Sequence, residues 1–391
     1  MQEIRILHIM SSFGGGISTF INNLAKGASN QKIVFDVVTY SQVPDHFKQT
    51  IEATGGQVYF LKNPKKTSWQ SFKKSFAKAF QDNEYQVVYS HIAGYRSIVY
   101  YYLAHQLQKG KKFDFYIHGH YRYDKNPSFK NKLLQVFDTQ VNRRLSRLPI
   151  GCSSLSIQEL FGLKVGESSI VIPNSIEPDD FLLATEERLA AHKYWQSKFI
   201  EKSDQSLVIG QVGRLTAVKN HLLTLEIIAY SKKQDHPLQL VIAGEGEDRA
   251  FLEEEVKKKE IKDQVFFAGR ISPVANLLAG IDLLIMPSFS EGFGTVAIEA
   301  QAIGIPVIAS DQISKEVDLG LGLIQFLSLE CEPKDWYQTM IDVYNQSLNK
   351  IPSDEDRFRR IKNKSFTNEE AAKLYRQVLD DQVSHFQIDS R

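Results

Sequence analysis

A chain of 391 residues is longer than one hydrophobic core usually sustains, and with 42% apolar residues it predicts two compact domains of about 180 to 200 residues each. Ordinary shares of aromatic (11%) and charged (24%) residues, with no repeat or low-complexity bias, exclude disordered and fibrous classes. The formal net charge of +1 hides a division: residues 1–172 hold 22 Lys+Arg against 11 Asp+Glu, net +11, and residues 173–391 hold 25 against 35, net −10.

The first half alternates β-branched or aromatic runs (IRILHIM, VFDVVTY, QVYFL, QVVYSHI, FDFYIHG, LPIGCS, SIVIPNS) with helix-length segments, and the second half repeats the style with LVIGQVGRL, LQLVIAGEG, QVFFAGR, DLLIMPS, PVIAS and LIQFL. Such βα alternation predicts an α/β chain of two Rossmann-like domains, each a doubly wound parallel sheet covered on both faces and facing the other across a cleft. The expected boundaries are 1–175 and 176–371, after Pro173-Asn174-Ser175, with the polar, helix-prone stretch 186–202 leading into the second sheet. A tail helix over 368–386 is expected from the apolar stripe Ala371, Leu374, Val378 and Leu379, with Thr367 and Glu370 as a capping box; its end, about 372–391, is expected to pack back on the first domain.

Ligands of open α/β sheets bind beyond the carboxyl ends of the strands, so the loops there hold the candidates. After the first strand, Ser11-Ser12-Phe13-Gly14-Gly15-Gly16 opens a helix and lets backbone amides approach an anion, though it matches neither GxGxxG nor GxxxxGKS, and a plain tight turn fits it as well. At 69–80, lysines interleave with Trp69, Phe72, Phe76 and Phe80 at helical spacing, which suits either core packing or contact with an anionic membrane. No nucleic-acid module accompanies this charge. Arg214 ends the strand LVIGQVGRL and Lys219 follows at a helix start: a bidentate guanidinium beside a mobile ammonium suits a diphosphate. After DLLIMPS comes SEGFGTVAIEA, where Glu291 precedes a glycine turn and Glu299 interrupts an apolar helical run. A carboxylate there is costly without strong donors, which the cis-diol of a ribose supplies, and Gly292 and Gly294 permit close backbone approach to a phosphate.

The arrangement GRLTAVKN, VIAGEGEDRAFLEEEVKK, FFAGR and DLLIMPSFSEGFGTVAIEAQAIGIPVIAS resembles the nucleotide-sugar-binding half of glycosyltransferase family 4, which has the GT-B fold; the first half is similar through GGGIST, YSHIAGYRS, FYIHGH and VIPNSIEPDDF. The resemblance implies a hexosyltransferase acting with retention and without a metal or other cofactor. Arg214 and Lys219 would hold the donor diphosphate, Glu299 the ribose, and Glu291 with Gly292, Phe293, Gly294 and Thr295 the sugar and its phosphate. Arg270 and Ile271 would pass near the base, Gly15 and Gly16 would approach the phosphates, and His118 would stand at the reaction centre, with His120 its rival. Two features depart from the family pattern: Ser18 replaces an acidic residue, and Asn174-Ser175-Ile176-Glu177 replaces Asn-Gly-Ile/Val-Asp.

A UDP-sugar donor, a saccharide or polyprenyl-diphosphate-linked acceptor, and a role in bacterial capsular or exopolysaccharide synthesis are the expected substrates and pathway. A nucleotide-sugar epimerase of GT-B architecture and a non-catalytic nucleotide-sugar binder are the alternatives. Apolar runs such as 98–104 and 281–287 are too short to span a bilayer and no signal peptide is visible, so the expected location is the cytoplasm, with peripheral contact at the inner face of the cell membrane. Metal sites read poorly: Asp354-Glu355-Asp356 lies in a polar stretch, and His118, His120 and Asp124 make a weak ligand set. Cys152 and Cys331 lack paired spacing and read as inert buried thiols.

Overall fold

The computed structural model describes residues 2–119, 127–163, 169–199, 206–348 and 351–380. The chain divides into two compact units, Met1–Ile176 with Ser365–Arg391, and Glu177–Lys364. In the first, β1 (Ile4–Ile9), β2 (Ile33–Thr39), β3 (Val58–Phe60), β4 (Val87–Ser90) and β5 (Asp114–Ile117) form a parallel sheet in the order β3-β2-β1-β4-β5. The runs LPIGCS and SIVIPNS contribute short strands, β6 (Ile150–Gly151) and β7 (Ile170–Val171), which pair with each other in a separate ladder rather than extending that sheet.

Strand residues alternate between two apolar layers, as a sheet covered on both faces requires. Ile6, Phe35, Tyr89 and Tyr116 pack with Phe20, Ile21 and Leu24 of the helix Gly16–Gly27. Leu7, Ile9, Val88 and Ile117 pack on the other side with Phe72, Phe76, Tyr100 and Leu160. The 69–80 segment is a helix over Trp69–Ala77 capped by Ser68, and its spacing serves the core: Phe72 and Phe76 are buried while Trp69 remains 46% exposed.

The first layer is completed from the far end of the chain. The helix Asn368–Leu379 buries Ala371, Ala372, Tyr375 and Val378 against it, so Tyr375 holds the centre of the stripe and Leu374 lies at its edge. Thr367 Oγ accepts from the Glu370 amide, but the Glu370 carboxylate pairs with Lys373 at 3.0 Å instead of closing a capping box. The buried Arg376 guanidinium is satisfied by the carbonyls of Gln2, Gln31 and Lys32 and by Asp380. The remainder of the expected tail helix, 381–391, lies outside the described residues.

In the second unit, β8 (Leu207–Val212), β9 (Leu238–Ala243), β10 (Val265–Gly269), β11 (Leu283–Met286), β12 (Val307–Ser310) and β13 (Ile324–Leu327) form a parallel sheet in the order β10-β9-β8-β11-β12-β13. Each sheet therefore reverses its strand order once, between β1 and β4 in the first unit and between β8 and β11 in the second. Cys152 is buried and Cys331 half-buried, both as free thiols.

Docking of the last helix leaves no space at Gly27, where a Cβ would stand 2.0 Å from the Asn368 carbonyl oxygen. Gly27→Ala is expected to cost about 1–3 kcal/mol, read as a lowered urea midpoint for the first unit. An unchanged midpoint would mean that the helix is not seated there.

Candidate active site

The expected site residues divide between the two units: Arg214, Lys219 and the 291–299 segment follow β8 and β11 at a strand-order reversal, Gly15 and Gly16 follow β1, Arg270 and Ile271 follow the edge strand β10, and His118 follows β5. In the second unit, β8 ends at Val212 and runs through Gly213 to an exposed Arg214. The chain then forms a short turn of helix, Ala217–Lys219, which returns Lys219 to the strand end. Gly213 has φ +151°, and a Cβ there would lie 2.9 Å from Lys219 Cε, so the glycine provides the space through which the lysine passes. Gln211, a buried amide in β8, donates to the Lys219 carbonyl at 2.9 Å and fixes the turn.

The neighbouring strand supplies the acids. After β11 the chain passes Ser288 and turns through Glu291, Gly292 and Gly294, with Gly294 left-handed at φ 91° as the residue before the helix Thr295–Ile303. Glu291 Oε1 is ion-paired with Lys219 Nζ and accepts from Ser288 Oγ at 2.8 Å. Only 19% of the lysine side chain and 12% of the glutamate side chain are exposed, so neither charge is cheap without the other. The positive end of the helix dipole lies at the same turn. Phe293 turns its side chain into the core, so only its backbone can serve a ligand.

Glu299 stands further along that helix among buried neighbours, and no hydrogen-bond or ion-pair partner is found for it among the described residues. Burial alone raises its carboxyl from 4.5 to about 7. Two acids eight positions apart are thus in opposite states, one neutralised by a lysine and one unpartnered. Arg270 and Ile271 follow the edge strand β10; Arg270 is exposed and Ile271 half-buried. Asp354-Glu355-Asp356 opens the helix Asp354–Asn363 behind its cap Ser353, with Asp354 paired to Arg357 and Asp356 to Arg359.

In the first unit, Gly14 is left-handed at φ 98°, and Gly15 and Gly16 lead into the helix Gly16–Gly27. Ser18 accepts from the Gly14 and Gly15 amides at 3.1 and 3.3 Å and donates to the Gly15 carbonyl at 2.9 Å, so this departure from the family pattern binds the loop's own backbone. His118 follows β5, is buried, and stacks on Phe20 with centroids 4.4 Å apart. His120 and Asp124 lie outside the described residues. Asn174 and Ser175, of the other departing motif, are buried against the same helix, where Asn23 donates to the Ser175 carbonyl at 2.6 Å.

Two family models match this chain: Glycosyltransferase Family 4 over residues 14–180 and Glycosyl transferases group 1 over residues 194–319. The chain is a family 4-like glycosyltransferase of the GT-B fold. Among its relatives, the putative glycosyltransferase EpsF of Bacillus subtilis is 29% identical over 356 residues, 87% of each chain. The O-antigen biosynthesis glycosyltransferase WclY of Escherichia coli is 25% identical over 178 residues, 46% of this chain and 48% of that one. Of solved structures, Anabaena Alr3699/HepE in complex with UDP and glucose superposes with a TM-score of 0.74 at 17% identity, over 97% of this chain and all of that one. Sucrose-phosphate synthase from Thermosynechococcus elongatus reaches 0.72 at 16% identity, over 97% of this chain and 100% of that one.

The residues of this glycosyltransferase that sequence reasoning missed are Ser288 and Gln211, which hold the ion pair and its turn. A polar residue inside an apolar strand marked Gln211; Ser288, between a proline and a phenylalanine in a loop, carried no mark. Because the folded Glu299 keeps its proton between pH 4.5 and about 7 while the unfolded one loses it, stability falls as pH rises through that window. Glu299→Gln is expected to match the parent near pH 4 and to exceed it by on the order of 3 kcal/mol above pH 7. Urea unfolding of both proteins across that range checks this, and parallel curves would show that Glu299 does not hold the raised proton affinity described.

Proposed function

We propose that this glycosyltransferase moves a hexose from a nucleotide sugar, with UDP as its nucleotide, to a saccharide or polyprenyl-diphosphate-linked acceptor, with retention of anomeric configuration and no metal. The observation that carries the reading is the ion pair of Lys219 with Glu291 at a strand-order reversal, with Arg214 beyond the end of β8 and Glu299 in the helix that follows β11. The cations suit a diphosphate, and the unpartnered Glu299 suits the two hydroxyl donors of a ribose. The HepE structures with UDP and glucose and with UDP-glucose support the donor class through a shared fold. The product class is supported by the name of WclY and by a Vi polysaccharide biosynthesis protein of Salmonella typhi, 29% identical over 140 residues, 36% of this chain and 23% of that one.

In this mechanism, Arg214 and Lys219 stabilise the charge that grows on the departing nucleotide, where one lost donor costs ~3 kcal/mol in the barrier. The departing phosphate oxygen takes the acceptor hydroxyl proton on the same face of the sugar, and His118 orients the donor. A covalent Glu291 intermediate is the rival path. The pairing of Glu291 Oε1 with both Lys219 and Ser288 weakens it as a nucleophile and favours a role in binding the sugar and placing the lysine.

A panel of nucleotide sugars tested by thermal shift is expected to show stabilisation by a UDP-sugar, ~2.7 kcal/mol at 100 times its dissociation constant. Arg214→Ala and Lys219→Ala should lose most of that gain, and release of UDP should require an acceptor. Undiminished binding and turnover in both variants would overturn the donor site; a trapped glycosyl-Glu291 would overturn the same-face path.

The same reading places the enzyme at the inner face of the cell membrane, where a lipid-linked acceptor would reside. No described helix is long and apolar enough to cross a membrane. The helix Phe129–Leu145 carries the surface that suits peripheral contact. Its second half is anchored by Asp138 and Asn142, which accept from the amides of Tyr95 and Gly94 at 2.8 Å each. Its first half exposes Phe129, Leu133, Val136 and Phe137 together with Lys130 and Lys132, an apolar and cationic pattern that suits an anionic bilayer. Co-sedimentation with phosphatidylglycerol vesicles is expected, weaker at high salt and lost when Phe129 and Phe137 are both changed to Asp. Equal retention on neutral vesicles or by that double variant would refute the contact.

A further inference from the structure

Between Glu52 and Asp82 the first unit holds six lysines and no acid. All six, Lys62, Lys65, Lys66, Lys73, Lys74 and Lys78, are exposed, and none has an ion-pair partner among the described residues. The loop that follows β3 gathers three of them. Asn63 accepts the Lys65 amide on its side chain at 2.9 Å and the Lys66 and Thr67 amides on its carbonyl at 3.0 Å each, which folds the loop into a tight turn. The Lys62 amide donates to Ser75 Oγ at 2.9 Å and ties the start of the loop to the helix Trp69–Ala77. Lys73, one turn along that helix, places its Nζ 5.6 Å from the centre of the Trp69 ring.

Scattered exposed aromatics are ordinary, but Trp69 is firmly mounted. Its ring centre lies 5.1 Å from that of the buried Phe72, on which Tyr40 stacks at 6.3 Å and which Tyr100 meets edge-on at 6.0 Å. The two tyrosine hydroxyls are hydrogen-bonded at 2.7 Å and close that layer. A ring backed in this way loses little freedom when a ligand covers it. Its neighbours Thr67, Ser68 and Gln70 are exposed and polar, so the patch presents one apolar surface among hydrogen-bonding groups and cations. That composition does not suit insertion in a bilayer, unlike the run of apolar side chains exposed by the helix Phe129–Leu145. It suits an acidic sugar: the C–H face of a pyranose covers an indole, and carboxylates take charge-assisted hydrogen bonds from lysines.

The patch lies at the carboxyl end of β3, the same end of the parallel sheet at which Gly15 follows β1 and His118 follows β5. Only β2 separates β3 from β1, a lateral distance of about 10 Å. We propose that Trp69 with Lys62, Lys65, Lys66 and Lys73 is an acceptor subsite, where Trp69 stacks on a sugar beyond the one that receives the hexose and the lysines bind acidic groups of the same chain. The acceptor is then an anionic oligosaccharide, free or lipid-linked. This rests on the reading above that the acceptor is a saccharide, and it gives a task to cations that the donor site does not use.

Of the three tryptophans, Trp195 and Trp336 are 5% and 0% exposed, so acrylamide quenching of the full-length protein reports on Trp69. Tetragalacturonate, added without nucleotide, is expected to protect Trp69 from the quencher, and less so at high salt. Its fully methyl-esterified form, with the same rings and no charge, is expected to bind about tenfold more weakly. In calorimetry, Trp69→Ala and the double variant Lys65→Gln/Lys66→Gln should each weaken tetragalacturonate about tenfold. The two lysine side chains are exposed and unpaired, so the double variant decides the matter should Trp69→Ala fail to fold. No protection by tetragalacturonate, equal binding of the ester, or full affinity in a folded variant overturns the proposal. A blue shift of the Trp69 emission on phosphatidylglycerol vesicles overturns it too, by assigning the patch to lipid. Tetragalacturonate bound by a protein that releases UDP from no donor sinks the transfer reading instead, and leaves a surface for acidic sugars.

Discussion

The ion pair between Lys219 and Glu291 is the contact on which the second unit's site depends. Both side chains are too covered to be left charged and alone, and removal of one partner from such a pair commonly costs about 3–5 kcal/mol because the other remains buried. The two residues are 72 positions apart and meet because β8 and β11 are neighbours at the place where the sheet reverses its order. Gly213 leaves room for the lysine stem, Gln211 fixes the turn that returns it, and Ser288 shares the carboxylate oxygen. Under the proposed donor reading, an incoming diphosphate would meet an ammonium already in position, with its charge balanced until an anion competes for it. The rotamer entropy that a solvent-exposed lysine would lose on binding has been lost on folding.

Against that balanced pair, Glu299 shows what the helix Thr295–Ile303 leaves unbalanced. Nothing in the described structure donates to its carboxylate, and its proton affinity rises accordingly. Folding thus carries a cost that a ligand with hydroxyl donors can remove, while the same ligand gains little from a carboxylate already occupied like Glu291. Two acids of one short motif are separated in role by their surroundings, the same principle by which paired carboxylates in other enzymes are set to different tasks.

Most of the architecture was legible because βα alternation has a physical signature. Parallel strands buried on both faces are near-continuously apolar, and Ile33–Thr39, with every residue buried and its one charge, Asp36, paired with Arg5 at 2.9 Å, shows why such runs stand out. Candidate site positions stood out for a related reason: the end of a strand is where a glycine, a cation or an acid has no role in the core. What was not legible depended on pairing across the sheet. The two short strands after residue 149 read like the others but form their own ladder, since nothing local tells a strand which neighbour it will find. The aromatic spacing at 69–80 favoured core packing without excluding membrane contact, and packing assigns Phe72 and Phe76 to the core while the helix Phe129–Leu145 carries an exposed apolar face. The histidines of IRILHIM, YSHI and FYIHG were each visible, and their recurrence near strand ends was a signal, but their contact follows from the order β1-β4-β5.

The two units handle polar groups in opposite ways. In the second, charges are paired or held in reserve near a strand-order reversal, as suits a charged ligand. In the first, glycine amides are tied to Ser18 at the loop after β1, and burial keeps His8 and His91 uncharged inside an aromatic layer. Tyr89, Tyr116, Phe20 and Phe35 pack around these rings, and burial holds His8 and His91 well below the ordinary imidazole range. The layer's residues come from strands of the first sheet and from a helix that returns after the whole second unit has been traversed. The return of the C-terminal segment is thus more than a seal on a hydrophobic surface: it sets the Tyr375 hydroxyl 3.4 Å from the His8 ring.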